Sequence, residues 1–479
     1  MMFPSRFHRW QRLVVLFTAA FFISSLPLFS PRRSWAFSLS DEKKLGAAIL
    51  EQIHQRMPLI EDGEAITYVN SVGNRIARQL GTTTYQFQFF IVNQPVPNAF
   101  AIPGGYIFIY RGLMEMMTSE GELASILAHE LSHINARHIY RQMDNQKILS
   151  VASLAGILAG IFLGGAGAGA LAMGSAAGAQ TAALKYSREN EEEADQMGFR
   201  LLCEAGYPPE DMVSMMGKLS QKQQYLTNSR IPSYLMTHPG VGDRIQYLQQ
   251  MVQKERRTGK KARAESLGDF PVMQASMIAQ YADPKAAAER FGPAAKKGDA
   301  IASYGMGRLA LREGRFEEAV TYLRDAARKK SDSPFVLSTL GAAYMQQGKF
   351  DDARSVLRSA LALDQSGTIP HYRLALVLQE QGQREEALDH LSRIEAMAPS
   401  FPEIDYQMGI VLGQVNRIGE AHLHLGRYYA RKCDWKAAHF HYTKAKPLLK
   451  SSPQQIEEID QVLKEVEKKR KSMAGGKGR

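Results

Sequence analysis

The chain has 479 residues, 45% of them hydrophobic and 22% charged, a balance that excludes wholesale disorder and fibrous classes and, at this length, a single compact core. Its two cysteines, Cys203 and Cys433, exclude a disulfide framework and a four-cysteine zinc site and are expected as free thiols. The net charge of +11 comes from residues 1–36, Lys254–Ala264 and Lys468–Arg479; the rest is net acidic, which excludes a folded basic face for nucleic acid.

Residues 1–36 read as an export signal. Arg6, Arg9 and Arg12 precede the apolar run Leu13–Leu28, and Ser34 and Ala36 sit at the −3 and −1 spacing of a cleavage site. No arginine pair precedes the run and no cysteine lies near it, so neither a twin-arginine route nor a lipid anchor is indicated. Removal after Ala36 is expected; retention as an anchor is the alternative. Both put the remainder outside the cytoplasm, and the resemblance described below implies the periplasm.

Residues 37–252 form the first expected domain. From Asp41 to Gln79 the pattern is helical, with Leu45, Ala48, Ile49 and Ile53 on one face and Tyr68, Val72 and Ile76 on another. Tyr85–Val92 is aromatic and β-branched, a strand that Pro95 and Pro97 end. Ala99–Ile102 and Tyr106–Tyr110 flank Pro103-Gly104-Gly105, a turn between two strands. A long helix is expected to start near Ser119 or Glu120. The 37 residues Ile148–Leu184 carry no charge and eight glycines. A helical hairpin with Gly156, Gly160 and Gly164 at its contacts, packed on the domain or touching a membrane surface, is expected there; a re-entrant or spanning hairpin is the alternative.

Residues 253–268 read as a solvated basic linker, with anionic membrane contact the alternative. Residues 269–470 repeat. Gly307, Gly341, Ala375 and Gly409 are spaced by 34, as are Ala319, Ala353, Ala387 and Ala421, and Leu323, Leu357, Leu391 and Leu425. Small residues at two fixed points of a 34-residue period mark helix pairs in close contact, and the pattern resembles the tetratricopeptide repeat, without its consensus tryptophan. The phase then slips by half a period to Gly426 and Ala438, so one helix is expected to serve two units. A partial unit is expected around Ala286–Ala295, a polar capping helix over Gln454–Arg470, and a basic disordered tail over 471–479.

The chemistry lies in His129-Glu130-Leu131-Ser132-His133. On a helix the two histidines fall one turn apart on one face, where both imidazoles reach one Zn²⁺. Glu130, rotated about 100°, reaches a reacting water without ligating. Glu191 and Asp195 repeat the i, i+4 spacing on a second expected helix. Glu191 is the expected third ligand, with Glu192 and Glu193 its competitors. Asp195 is placed to accept the free N–H of a ligand histidine. Alone, such an acidic run is a solvated face. Ala136 and Ile139 stand where a third histidine motif would need glycine and histidine, which leaves His138 on the surface or behind the ligands.

Four motifs carry a family resemblance: Asn98-Ala99-Phe100-Ala101 with Gly104-Gly105; His129-Glu130-Leu131-Ser132-His133; Ser187-Arg188 with Glu191 and Asp195; and Thr237-His238-Pro239 with Arg244-Ile245. Residues from about Asp41 to Gln250 resemble the zinc peptidases that include the CAAX prenyl proteases and the HtpX heat-shock protease. The resemblance implies an α+β metallopeptidase domain, mostly helical with a small sheet, followed by an all-α tetratricopeptide solenoid, with one zinc per chain. Glu130 would move the proton. His238 and Arg244 are candidates for holding an oxyanion or a substrate carbonyl; alternatively His238 occupies the open zinc position and keeps the enzyme latent, or His238-Pro239 only starts a helix. Asn98, Ala99 and Phe100 are candidates for pairing with an extended substrate, against an ordinary hairpin.

The implied partners are unfolded or stalled proteins and, through the repeats, outer-membrane β-barrel assembly machinery, with peripheral membrane contact. Two other classes stay open: a repeat-based chaperone or scaffold with a silent peptidase, and a membrane-embedded protease.

Overall fold

The computed structural model describes residues 39–141, 186–225, 233–259, 269–398, 401, 403–449 and 453–475. The export signal of 1–36 and the uncharged segment 148–184 lie outside the described residues. Among the described residues no helix is long and apolar enough to cross a membrane, and Cys203 and Cys433 form no disulfide.

The first helical stretch folds as Leu39–Arg56 and Gly63–Ala77. Leu45, Ile49 and Ile53 of the first, and Tyr68, Val72 and Ile76 of the second, are buried as their spacing requires. Asp62 caps the second helix, its carboxylate accepting from the Ala65 amide at 3.0 Å.

Three strands follow: β1 (Gln88–Val92), β2 (Ala99–Ile102) and β3 (Tyr106–Tyr110). β3 is central, parallel to β1 and antiparallel to β2. The register puts Phe90, Phe108 and Phe100 in one row, with ring centroids 5.0 and 4.7 Å apart. Such cross-strand aromatic pairs fix a register that a one-residue slip would destroy. β1 starts at Gln88 rather than Tyr85. Its partner β3 begins at Tyr106, opposite Gln88, so the ladder has nothing to offer Tyr85–Phe87. The β2–β3 turn needs Gly104 and Gly105, whose φ angles of 92° and 100° belong to glycine.

Ser119 caps the helix Glu120–Asn135, which is buried on every turn. It packs on β2 and on the helix Arg188–Glu204. Gly198 allows that second contact: a Cβ there would lie 3.2 Å from the Ala128 backbone. The two motif-bearing helices are therefore held nearly backbone to backbone.

The remainder is all α. The repeat helices pair as 300–312 with 316–329, 334–346 with 350–363, 368–380 with 384–397, and 404–414 with 418–431. Gly307, Gly341 and Gly409 each sit where a Cβ would meet a leucine of the paired helix within 2.7 Å, at Leu323, Leu357 and Leu425. The half-period slip is real: Ile418–Arg431 packs on 404–414 with one side and on Trp435–Ala445 with the other, where Gly426 faces Tyr442. Two helices, Phe270–Tyr281 and Pro284–Lys296, precede the array, and Pro453–Gly475 follows it.

The start of the basic linker and the start of the tail differ from expectation. The helix Val241–Arg257 runs into 253–268, because nothing before Thr258-Gly259 breaks it. The last helix likewise continues into 471–479 as far as Gly475.

The repeats hold the start of the Gly63–Ala77 helix. Glu403 accepts from the Gly63 amide at 3.2 Å, and the Phe401 ring lies where a Cβ on Gly63 would be. Arg373 meets Glu64 at 3.2 Å and Arg308 meets Asp62 at 3.5 Å. Trp435 donates to Glu51 at 3.2 Å, and Gln274 donates to the carbonyls of Met114 and Met117. The two regions share a continuous, largely polar contact.

Burial, reinforced by Asp62 and Glu61, pushes the Glu403 carboxyl up to about 7. A carboxyl that binds its proton more tightly when folded stabilises fully below its unfolded pKa, and that contribution is lost as pH rises through the folded value. The chain is therefore expected to lose thermal stability between pH 5 and 8. Glu403→Gln, which keeps an acceptor for Gly63, should flatten that loss; melting curves at several pH values read it directly.

Candidate metal centre and peptidase site

Four buried side chains converge. One ligand atom from each of His129, His133, Glu191 and His238 lies within 4.8 Å of all the others. His129 and His133 face each other through Nε2 at 3.0 Å. Glu191 lies 3.6 Å from each of those nitrogens. His238 Nδ1 is 3.3 Å from His129 Nε2 and 2.9 Å from Glu191 Oε1. The histidine pair comes from one helix face, as i, i+4 spacing dictates. Glu191 comes from the adjacent helix. His238 follows the short helix Ser233–Thr237 and is held by its own amide bond to the Tyr234 carbonyl.

The surrounding groups orient these four. Asp195 Oδ1 lies 2.9 Å from His129 Nδ1, so the other nitrogen faces the cluster. Arg244 donates to both Asp195 oxygens at 2.7 Å and to Glu191, and Tyr247 donates to Asp195. His138 Nδ1 lies 2.8 Å from His133 Nδ1, and its Nε2 is 3.1 Å from Glu193. Tyr186 stacks on His133 and Tyr234 on His238, with centroids 3.9 and 4.4 Å apart.

Electrostatics follow from burial. Burial opposes ionisation of Glu191 and Asp195, but the positive partners outweigh it and hold both carboxyls below their ordinary range. Those carboxylates hold the Arg244 proton firmly in return. Burial, then the neighbouring histidines, pushes His133 well below its ordinary value, so the ring is a neutral donor. Burial pushes the Glu130 carboxyl up to about 7. Among the described residues neither Glu130 oxygen has a hydrogen-bond partner, and His238 Nε2 is 3.5 Å away.

A charge count tests whether a metal fits. With neutral histidines and ionised carboxyls, Glu130, Glu191, Asp195 and Arg244 sum to a buried excess of about two negative charges, a costly state in a medium of low polarity. A divalent cation at the cluster cancels it. Two imidazoles and a carboxylate with an extra histidine are a donor set suited to Zn²⁺, whose ligand atoms stand about 3.4 Å apart in a tetrahedron. A second group, Glu395, Asp405 and His424, is already neutralised: Arg427 binds Glu395 and Arg431 binds Asp405.

The remaining sequence candidates lie as follows. Arg244 spends its guanidinium on carboxylates, so its charge acts through Glu191 and Asp195. Glu192 is exposed, and Glu193 reaches His138. Asn98, Ala99 and Phe100 are buried, and β2 lies at the edge of the three described strands, next to the motif helix. The sequence reading missed the rings of Tyr186 and Tyr234. The i−4 spacing of Tyr234 from His238 was the available signal.

Arg244→Leu would leave two buried carboxylates uncompensated. It is expected to destabilise the metal-free chain by about 3–5 kcal/mol, with part restored by added Zn²⁺; urea unfolding with and without the metal checks this.

Residues 65–252 match the family model described as Peptidase family M48, and 282–334 and 344–408 match tetratricopeptide repeat models. The chain is 34% identical over 217 residues to the beta-barrel assembly-enhancing protease of Yersinia pestis, covering 45% of this chain and 44% of that one. It is 30% identical over 312 residues to the putative beta-barrel assembly-enhancing protease of Vibrio cholerae, covering 63% of each. The mitochondrial metalloendopeptidase OMA1 of Schizosaccharomyces pombe is 27% identical over 237 residues, 47% of this chain and 65% of that one. The chain thus aligns with between about half and two thirds of its relatives' length. Among solved structures, the tetratricopeptide protein TTC0263 of Thermus thermophilus covers 40% of this chain and 97% of its own, at 19% identity and a TM-score of 0.29. The chain carries an M48 metallopeptidase domain followed by tetratricopeptide repeats.

Proposed function

We propose that this chain, an M48-domain peptidase with tetratricopeptide repeats, is an exported zinc endopeptidase that cleaves misfolded or stalled envelope proteins. The carrying observation is the convergence of His129, His133, Glu191 and His238 beside a buried, partnerless Glu130. His129, His133 and Glu191 would hold one zinc. When bound, zinc supplies polarisation of a peptide carbonyl and acidification of a water.

Glu130 takes a proton from the attacking water and returns it to the leaving amine. Burial raises the Glu130 carboxyl in the metal-free chain, the direction that an acid–base group needs. Asp195 fixes the His129 tautomer, and Arg244 keeps Glu191 and Asp195 ionised and in place. The stretch Asn98–Phe100 beside the motif helix is the one that would pair with an extended substrate, giving recognition with little sequence preference.

His238 serves as a latch. Its Nδ1 stands within the ligand group and 2.9 Å from Glu191, where a substrate carbonyl would have to enter. A depression of about 260 Å³ lined by Leu235, His238, Val241 and Asp243 lies on its outer side and gives the ring somewhere to go. The repeats hold a polypeptide or partner complex and present it to the site. The names of the similar proteins from Yersinia and Vibrio support β-barrel assembly as the setting, and the signal-like residues 1–36 support the periplasm as the compartment.

The chain without residues 1–36 should carry one zinc and degrade unfolded casein. Glu130→Gln should keep the zinc and lose cleavage by at least 100-fold, in line with loss of a general base; metal analysis with a gel-based assay decides it. Absence of zinc from the folded chain would overturn the reading. His238→Ala should retain zinc and cleave faster than the parent chain. Slower cleavage would reassign His238 to holding the oxyanion.

A further inference from the structure

Among the described residues no carboxylate meets Nδ1 of His133 as Asp195 meets Nδ1 of His129, and the residues behind it supply one indirectly. The motif helix ends at Ala136, and Arg137 takes a left-handed φ of 54°. That reversal returns the chain so that His138, five residues on, packs edge-to-face against His133 with centroids 4.9 Å apart. The His138 ring is fully buried. Its Nδ1 lies 2.8 Å from His133 Nδ1 and its Nε2 lies 3.1 Å from Glu193 Oε2. Glu193 is 44% exposed, and Arg141 holds the same oxygen at 2.9 Å.

The proton arrangement follows from the geometry. A neutral imidazole that turns Nε2 toward a metal carries its single proton on Nδ1. That proton of His133 points at His138 Nδ1, which must then be the bare acceptor. The His138 proton therefore sits on Nε2 and is donated to Glu193. Two neutral rings and one carboxylate form a line with a single consistent proton order. We propose that His138 and Glu193 are positioning residues for the metal centre, a two-step relay that fixes the tautomer and angle of His133 as Asp195 does directly for His129. The proposal rests on the zinc reading above. It also gives this half of the site a terminus at the protein surface, where Glu193 and Arg141 meet water.

The test uses the purified full chain and measures Zn²⁺ affinity by chelator competition, the visible spectrum of the Co²⁺-substituted protein, and folding by circular dichroism. His138→Ala should weaken zinc binding about 10–100-fold, the usual cost of losing such a partner, and alter the cobalt band. His138→Asn puts an acceptor where Nδ1 stood and should restore affinity to within about threefold of the parent. Glu193→Ala, at a half-exposed position, should weaken zinc severalfold in the parent and have no effect in the His138→Asn background, which lacks the Nε2 link.

Unchanged zinc affinity in folded His138→Ala would overturn the relay, as would equal losses in the Ala and Asn variants. If the Ala variant does not fold, the Glu193 pair decides: an equal effect in both backgrounds overturns the relay, and an effect confined to the parent supports it. Failure of the parent chain itself to bind zinc would instead overturn the zinc reading.

Discussion

Everything at the site depends on keeping ionised groups out of water. Glu130, Glu191, Asp195 and Arg244 are each at most 3% exposed. A buried charge without compensation costs several kcal/mol, so each must answer another. Arg244 answers two carboxylates at once with its planar fork, a geometry that lysine lacks. One carboxylate's worth of charge remains beyond that, together with Glu130, and the histidine cluster is where a cation would balance both.

A second constraint is mechanical. The site is assembled from three separate stretches, centred on residues 130, 191 and 240, and only packing holds them together. Gly198 brings the two motif helices into contact, and the sheet supports the first of them from below. The repeats in turn grip the Asp62–Glu64 corner at the start of the Gly63–Ala77 helix, which packs on the motif helix. The repeats therefore touch an element that packs directly on the helix carrying His129 and His133.

Much of this was legible in the sequence because it is periodic. HExxH and ExxxD each place two groups on one helix face, and the 34-residue period placed Gly307, Gly341 and Gly409 at helix contacts that the structure reproduces. The cap at Ser119 and the ends of β2 and β3 were equally readable, because serine caps and Gly-Gly turns act locally. What stayed hidden depends on long-range pairing. The partnership of Arg244 with Asp195 spans 49 residues, and nothing local marks it. The central place of β3, and with it the late start of β1, comes from a parallel pairing that the hairpin signal did not contain. The seating of Asp62–Glu64 against Arg308 and Arg373 links stretches with no shared pattern. His138 was left on the surface or behind the ligands, because its orientation depends on the left-handed turn at Arg137, a conformation that arginine does not announce.

The most direct measurement is anomalous X-ray diffraction at the zinc edge from crystals of the purified chain. The account predicts one strong peak, bounded by His129, His133, Glu191 and His238, and no peak at Glu395, Asp405 and His424. A zinc-soaked crystal with ordered density for these side chains and no peak between them would contradict it.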